Sequence, residues 1–330
     1  MIPDQWYAVL ESDEVPRGRP VGVTRFGEPL VFWRTANGDP VCMRDACPHR
    51  GAALSVGRLG EDCIACPFHG LTFDPTGRCT LIPANGRAAE VPKAFQAATY
   101  PARDAHGFIW VWWGEAARAT PDVPWFDSID DAFSYGTIRD HWPVHYSRAI
   151  ENQLDVVHLP FVHATTIGRG NRTLVHGPLV RWEDLPGLPR GRMNIWVHSD
   201  LDHGQAAIRA EDLGEPRSRP LLQFHFPNTW HNWLADDVRI MAAFVPIDET
   251  NTRMYVRFYQ RVVRLPGLRQ LFNLASLPAN RVILNQDKRV VRTQMPKRSD
   301  LRMGEKLIQG DAPIIAYRRR RSELRGEGNG

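Results

Sequence analysis

Cys47-Pro48-His49-Arg50-Gly51 and Cys66-Pro67-Phe68-His69-Gly70 each present one thiol and one imidazole from a run short enough to be a tight loop. Four ligands of this kind, Cys47, His49, Cys66 and His69, suit a [2Fe-2S] cluster with cysteines on one iron and histidines on the other. Neutral imidazoles in place of two thiolates remove negative charge and raise the reduction potential of such a cluster. Other chemistry is open to the same residues: Cys63 and Cys66 form a C-x-x-C pair, as in a redox dithiol or a zinc site completed by His69 and one upstream ligand. The duplication favours the two-iron cage. Both runs place proline after cysteine and glycine directly or one step after histidine, as two facing loops of one cage require. Glycine there admits positive φ and lets backbone N–H groups approach bridging sulfides. Cys63 is then a neighbour of the cage rather than a ligand.

A second group of metal-ligating types lies downstream, in Asn152-Gln153-Leu154-Asp155-Val156-Val157-His158-Leu159-Pro160-Phe161-Val162-His163. On a continuous helix, residues five apart point about 140° away from each other. Pro160 breaks the helix between His158 and His163, so both imidazoles can turn toward one point. With one added carboxylate they would make a facial triad for non-haem Fe(II) that leaves positions open for oxygen and substrate. A histidine pair in a helix and its exit turn is by itself more often structural. The upstream cage changes that balance, because an electron-delivering centre implies an acceptor.

The elements that must hold these loops divide the 330-residue chain into two domains, expected at 1–115 and 116–330. Up to Trp113 short apolar runs alternate with turn signals such as Asn37-Gly38-Asp39-Pro40, flanked by hairpin arms at 31–33 and 41–43. That is an all-β domain, and a connector rich in alanine and proline follows at 116–124. The second half reads as a helix over 145–157, strands at 194–198, 221–226, 238–246 and 254–263, a hairpin turn at 248–253, and a final helix over 279–293. Phe224, Phe226 and Trp230 at strand spacing read as core more readily than as pocket lining, and His141 and His145 as core or surface histidines. Asn152 reads equally as a group near the iron and as a helix-capping or packing residue.

A composition of 43% apolar and 24% charged residues is that of an ordinary globular chain, and a net charge of +4 is too mild to argue for nucleic acid. The most apolar run, 108–113, is strand length, far below the roughly 20 residues a bilayer needs, so no membrane span is expected. The start of the chain lacks the basic and apolar regions of a secretory signal. Five cysteines with two assigned to the cage suit a reducing compartment, so the expected location is cytoplasmic. The run from Arg318 to Arg321 precedes a polar tail ending Gly-Glu-Gly-Asn-Gly, and is expected to be a solvated or frayed terminus. A second reading has it attracting an acidic electron donor by long-range steering.

With both motifs in one chain, the sequence resembles the oxygenase (alpha) subunit of the Rieske non-haem iron oxygenases. In that family an Asp-x2-His-x4-His pattern supplies two imidazoles to the mononuclear iron, matching Asp155, His158 and His163. Asn285-Gln286-Asp287 looks like the motif of the third ligand, Asp287, and Asp155 looks like the catalytic bridge that accepts the outer N–H of His158. The implied fold is α+β: an N-terminal all-β Rieske domain followed by a helix-grip (Bet v1/START-like) antiparallel-sheet catalytic domain. The implied assembly is a ring-shaped homotrimer, in which His49 or His69 of one subunit reaches Asp155 of the next. The implied reaction uses O2 and a small-molecule substrate, with electrons from NAD(P)H through a partner ferredoxin, ferredoxin reductase or both. No G-x-G-x-x-G fingerprint stands in a strand-turn-helix context, so that reductase is expected to be a separate protein. Leu71-Thr72-Phe73-Asp74 replaces the tryptophan that many ring-dihydroxylating members carry after the second His-Gly. That tilts the resemblance toward the vanillate and dicamba O-demethylase branch, hence hydroxylation or oxidative demethylation. Arene cis-dihydroxylation is the alternative, and a Rieske electron carrier without catalysis is the alternative of another class.

Overall fold

Turn residues and alternating apolar positions set the strand boundaries along most of the chain, which a computed structural model describes over residues 1–327. The last three residues of the 326–330 tail lie outside the described residues. Two units separate, Pro3–Val123 and Pro124–Gly330, and Met1–Ile2 belongs with the second.

The first unit contains eleven strands: β1 (Gln5–Glu11), β2 (Val21–Arg25), β3 (Glu28–Arg34), β4 (Pro40–Arg44), β5 (Arg58–Leu59), β6 (Ile64–Ala65), β7 (Thr72–Phe73), β8 (Cys79–Leu81), β9 (Thr99–Tyr100), β10 (Ala102–Ala105) and β11 (Phe108–Trp113). They form three sheets, ordered β1-β11-β10, β2-β3-β4-β9 and β5-β6-β7-β8. The expected hairpin pairs Val31 with Met43 and Trp33 with Val41. Those residues join Ile64, Phe73, Cys47 and Cys66 in one buried cluster, so the cysteine loops are footed in the core.

The second unit contains β12 (Ser134–Trp142), helices α1 (Tyr146–Leu154) and α2 (Leu159–Val162), strands β13 (Leu174–Leu185), β14 (Leu188–Asp200), β15 (Leu222–His225), β16 (Thr229–Ala235), β17 (Val238–Pro246) and β18 (Thr252–Gln260), then α3 (Leu268–Val291) and α4 (Ala312–Leu324). The strands make one seven-stranded antiparallel sheet, ordered β12-β18-β17-β16-β15-β14-β13. One face meets the helices. Met193, Ile195, Phe224, Trp230 and Phe244 pack there with Ile150 and Leu154 of α1, Leu284 of α3 and Tyr317 of α4. Phe224, Phe226 and Trp230 are therefore core, as their spacing suggested. No helix among the described residues is long and apolar enough to cross a membrane.

Two helices depart from expectation. The last helix was expected to begin at 279, immediately after Pro278, but α3 begins at Leu268 and carries Pro278 inside it. Its first turns expose Leu271 (63%) and Leu274 (64%), so no apolar stripe announced them. Arg318 to Arg321 do not form a frayed terminus: they lie in α4, with Arg318 and Arg321 buried. Ile314, Tyr317, Arg318 and Arg321 share one helix face, and the two guanidinium groups reach carboxylates, a carbonyl and a phenol there. Arg318 and Arg321 are thus turned into the core, while Arg319 is exposed.

The other face of the sheet carries polar residues that are nonetheless covered. His225 and His231 alternate with Phe224 and Trp230, and Phe126 lies over both rings at 3.9 and 5.0 Å between centroids. Burial, with Arg239 and Arg192 nearby, holds His231 down to about 3, and burial with Arg192 and His231 holds His225 well below its ordinary value. Burial and neighbouring arginines likewise take His145, the N-cap of α1, to about 3. In the folded chain these rings stay neutral, while unfolded rings take up protons below about pH 6.5. Each therefore withdraws stability as pH falls below about 6.5, at roughly 1.4 kcal/mol per pH unit, down to about 3 for His231 and His145. The urea midpoint is expected to drop between pH 7 and 5.5, and to drop less in His231→Asn. An equal drop in both proteins would show that His231 does not contribute.

Candidate metal centres

In the first unit, two loops repeat one backbone pattern. Cys47 N–H donates to Ala52 O (2.8 Å) and Gly51 N–H to Cys47 O (2.8 Å), while Cys66 N–H donates to Leu71 O (2.8 Å) and Gly70 N–H to Cys66 O (3.0 Å). Each loop closes through a glycine in the left-handed region, Gly51 at φ 74° and Gly70 at φ 73°, where a side chain would be strained. Cys47 and Cys66 are buried at 3% and 4%, and burial pushes the Cys47 thiol up. His49 and His69 stand exposed at the loop tips with ring centroids 4.8 Å apart. Buried sulfur behind paired, solvent-facing imidazoles matches in type the donor set of a mixed-ligand two-iron cage. Cys63 is half-buried on the chain between the two loops.

In the second unit, α1, α2 and α3 bring three side chains of metal-ligating type together. His145 caps α1, accepting from Ser147 N–H at 3.2 Å, and the helix ends at Asp155 in extended conformation. Asp155 Oδ1 then accepts from the N–H groups of Val157 (2.8 Å) and His158 (3.1 Å), a turn that redirects the chain into α2. Pro160 sits in the first turn of α2, where its missing N–H costs nothing, and His163 follows the helix. α3 lies close against β12. A Cβ on Gly136 would meet Asn273 O at 2.9 Å, Asn273 donates to Ser134 Oγ at 3.2 Å, and Lys288 reaches both Asp140 oxygens at 3.1 and 3.2 Å. These contacts aim Asp287 inward.

His158, His163 and Asp287 each offer one ligand atom, and these lie within 4.8 Å of one another. Asp287 Oδ1 is 3.0 Å from His163 Nε2 and 3.5 Å from His158 Nε2. Cis ligands about 2.1 Å from a metal stand about 3 Å apart, so the two carboxylate–imidazole spacings suit one ion. His163 Nδ1–H donates to Gln286 Oε1 at 2.8 Å, which leaves a lone pair at Nε2 facing the carboxylate. A positive species must lie between Nε2 and Oδ1, either a ring proton or a metal ion. Burial depresses the His163 pKa, but the Asp287 carboxylate and Gln286 outweigh it and raise it. Asp287 Oδ1 and His158 Nδ1 are buried with no hydrogen bond of their own, a further sign of a donor set made for an ion.

Asp155 lies 3.5 Å from His158 Nδ1, close but not in hydrogen-bond alignment, and is bound instead by backbone N–H groups. Burial alone would raise its pKa, but the His158 ring and the N–H groups of Val157 and His158 lower it, so it is ionised at neutral pH. Asn152 is half-buried with Nδ2 unpartnered, whereas His141 is occupied by Asn251 at 2.8 Å and His145 lies 3.7 Å from Glu249, both outside the triad. Gln286 escaped the sequence reading as a site residue, although it stands beside Asp287 in the motif. It also accepts from Thr166 Oγ1 at 2.9 Å, so one amide ties α3 to the segment after His163.

Two family models match the chain. Residues 5–101 match the Rieske [2Fe-2S] domain family, and residues 142–327 match the vanillate O-demethylase oxygenase C-terminal domain family. The iron-sulfur subunit of the toluene-4-sulfonate monooxygenase system of Comamonas testosteroni is 34% identical over 199 residues, 59% of this chain and 55% of that protein. The oxygenase component of chloroacetanilide N-alkylformylase from Rhizorhabdus wittichii is 35% identical over 232 residues, 68% of this chain and 58% of that one. A vanillate O-demethylase oxygenase subunit from Pseudomonas is 38% identical over 146 residues, 43% of each chain. The matched stretches span 55%, 58% and 43% of these three relatives, and 25% of a chlorophyllide a oxygenase from Chlamydomonas reinhardtii. Dicamba monooxygenase superposes with a TM-score of 0.77 at 20% identity, covering 99% of this chain and 98% of that one. NdmA of Pseudomonas putida with caffeine gives 0.75 at 21%, covering 98% and 91%; both show a shared fold.

If Gln286 orients His163, Gln286→Leu should weaken Fe(II) binding about 10- to 100-fold in chelator competition. Unchanged affinity would remove Gln286 from that role.

Proposed function

Since the chain belongs to the Rieske non-haem iron oxygenases with a vanillate O-demethylase-type catalytic domain, we propose that it is an oxygenase component that hydroxylates or oxidatively demethylates a small organic substrate with O2. Its electrons come from NAD(P)H through a separate ferredoxin or ferredoxin reductase. The observation that carries this reading is the convergence of His158, His163 and Asp287 in a chain that also holds twin Cys-His loops.

Cys47 and Cys66 would hold one iron of a [2Fe-2S] cluster and His49 and His69 the other, while His158, His163 and Asp287 would hold a single Fe(II). When bound, the cluster supplies one-electron storage and the Fe(II) centre supplies O2 activation for insertion into a C–H bond. Gln286 sets the tautomer of His163, so that Nε2 is the ligand atom. Asp155, kept ionised by the His158 ring and by backbone N–H groups, offers a carboxylate beside the outer nitrogen of His158. In a homotrimer it would receive the exposed His49 or His69 of a neighbouring subunit. Val180, Val197, Ile240 and Phe258 pack against the core yet stay only half-buried, which supports an apolar lining that excludes water around a small substrate. Five cysteines free of disulfides suit a cytoplasmic setting.

The test is Asp287→Ala, assayed with a surrogate reductase. The parent should hold about three irons and about two sulfides per chain. The variant should lose about one iron and all substrate-dependent oxygen uptake, with the visible spectrum of the cluster intact. A variant that keeps the third iron, or a parent that holds only the cluster's two, contradicts the proposal.

A further inference from the structure

The polar core of the second unit contains an ion lattice that the reaction does not call for. Glu151, on α1, accepts from Arg318 Nε at 2.7 Å and Nη2 at 2.9 Å, and from Arg148 Nη1 at 3.0 Å. Glu305 bridges the same two arginines, 2.8 Å from Arg318 Nη1 and 2.9 Å from Arg148 Nη2. Arg148 also donates to Pro296 O at 3.1 and 2.9 Å. Glu151, Arg148 and Arg318 are each under 5% exposed, and the Arg318–Glu151 pair is bidentate. Such a lattice is geometrically specific, and removing one member leaves a buried charge unpaired.

The lattice holds both ends of the segment between Glu305 and Arg318 against the helix that leads into the triad. Between those ends, Gln309 Nε2 donates to Gly177 O at 2.9 Å and Ile208 O at 3.0 Å, which ties the segment to β13. Its middle touches the site-bearing turn. Gly310 is buried, and a Cβ added to it would overlap Cγ1 of Val157. Val157 is the residue between Val156 and His158 whose N–H donates to Asp155 Oδ1. A displacement of its side chain therefore moves the turn that presents both Asp155 and His158.

We propose that the segment from Glu305 to Arg318 is a strut whose contact at Gly310, clamped by the Glu151–Arg318–Glu305–Arg148 lattice, fixes the position of the Asp155–His158 turn. Gly310, Glu305 and Arg318 are positioning residues: none reaches the ligand atoms, and each acts through Val157 or α1. Glycine at 310 is required by close approach, since its Cβ space is already taken by Val157. The inference rests on the proposed Fe(II) site, and the experiment separates the two.

Fe(II) affinity is measured by chelator competition on the full chain, with circular dichroism and the visible spectrum of the cluster as controls. Gly310→Ala should weaken Fe(II) binding about 10-fold or more, the scale seen when groups supporting a ligand are lost. Val157→Ala added to Gly310→Ala makes room for the new methyl and should restore affinity to within about threefold. Glu305→Gln should speed Fe(II) release about threefold or more, and the exposed Arg319→Ala should change nothing. A parent that binds no third iron overturns the Fe(II) site itself. A parent that binds it, with Gly310→Ala unaffected or not rescued by Val157→Ala, overturns the strut. If Gly310→Ala does not fold, unchanged release from Glu305→Gln overturns it alone.

Discussion

Two imidazoles and a carboxylate pressed together in a mostly buried space need a ring proton or a metal ion between nitrogen and oxygen. Asp287 Oδ1 at 3.0 Å from His163 Nε2 and 3.5 Å from His158 Nε2 is the constraint that the rest of the second unit serves. α3 is held to β12 at Asn273 and again at Lys288, and the turn at Asp155 ends α1 and redirects the chain; Pro160, expected to break a helix between the two histidines, instead sits in the first turn of α2 between them. Each of these local devices is weak alone. Together they fix three side chains whose chain positions differ by 129 residues between the first and last.

The first unit solves a different problem. Its twin loops foot two thiols in the core and expose two imidazoles, with the same two backbone hydrogen bonds and the same left-handed glycine. Burial is asymmetric, sulfur inside and nitrogen outside, which places the hydrogen-bonding imidazoles of the loop pair at the surface.

Much of this was legible in the residues, and the failures have physical causes. Val31-Phe32-Trp33, Val41-Cys42-Met43 and the 108–113 run fold as read because their apolar pattern answers to one core. β13 was hidden by Gly177-Pro178, which shift its register between His176 and Leu179. β16 was hidden because His231 sits on a face that reads as solvent but is covered by Phe126. α4 was misread because a run of arginines is ordinarily solvated; only the tertiary fold brings Glu151 and Glu305 to Arg318. At the site, His158 and His163 stood out through the proline between them. Asp287 was reached through the family motif, since a carboxylate's burial is decided by partners far along the chain. Gln286 needed the geometry.

Mössbauer spectroscopy of protein reconstituted with 57Fe reaches the central claim most directly, because it distinguishes and counts iron environments in one sample. The account predicts two cluster sites, one thiolate-ligated and one imidazole-ligated, with a high-spin ferrous signal of about half the cluster's total intensity. A spectrum containing cluster iron alone, under conditions where free Fe(II) is in excess during loading, would contradict it.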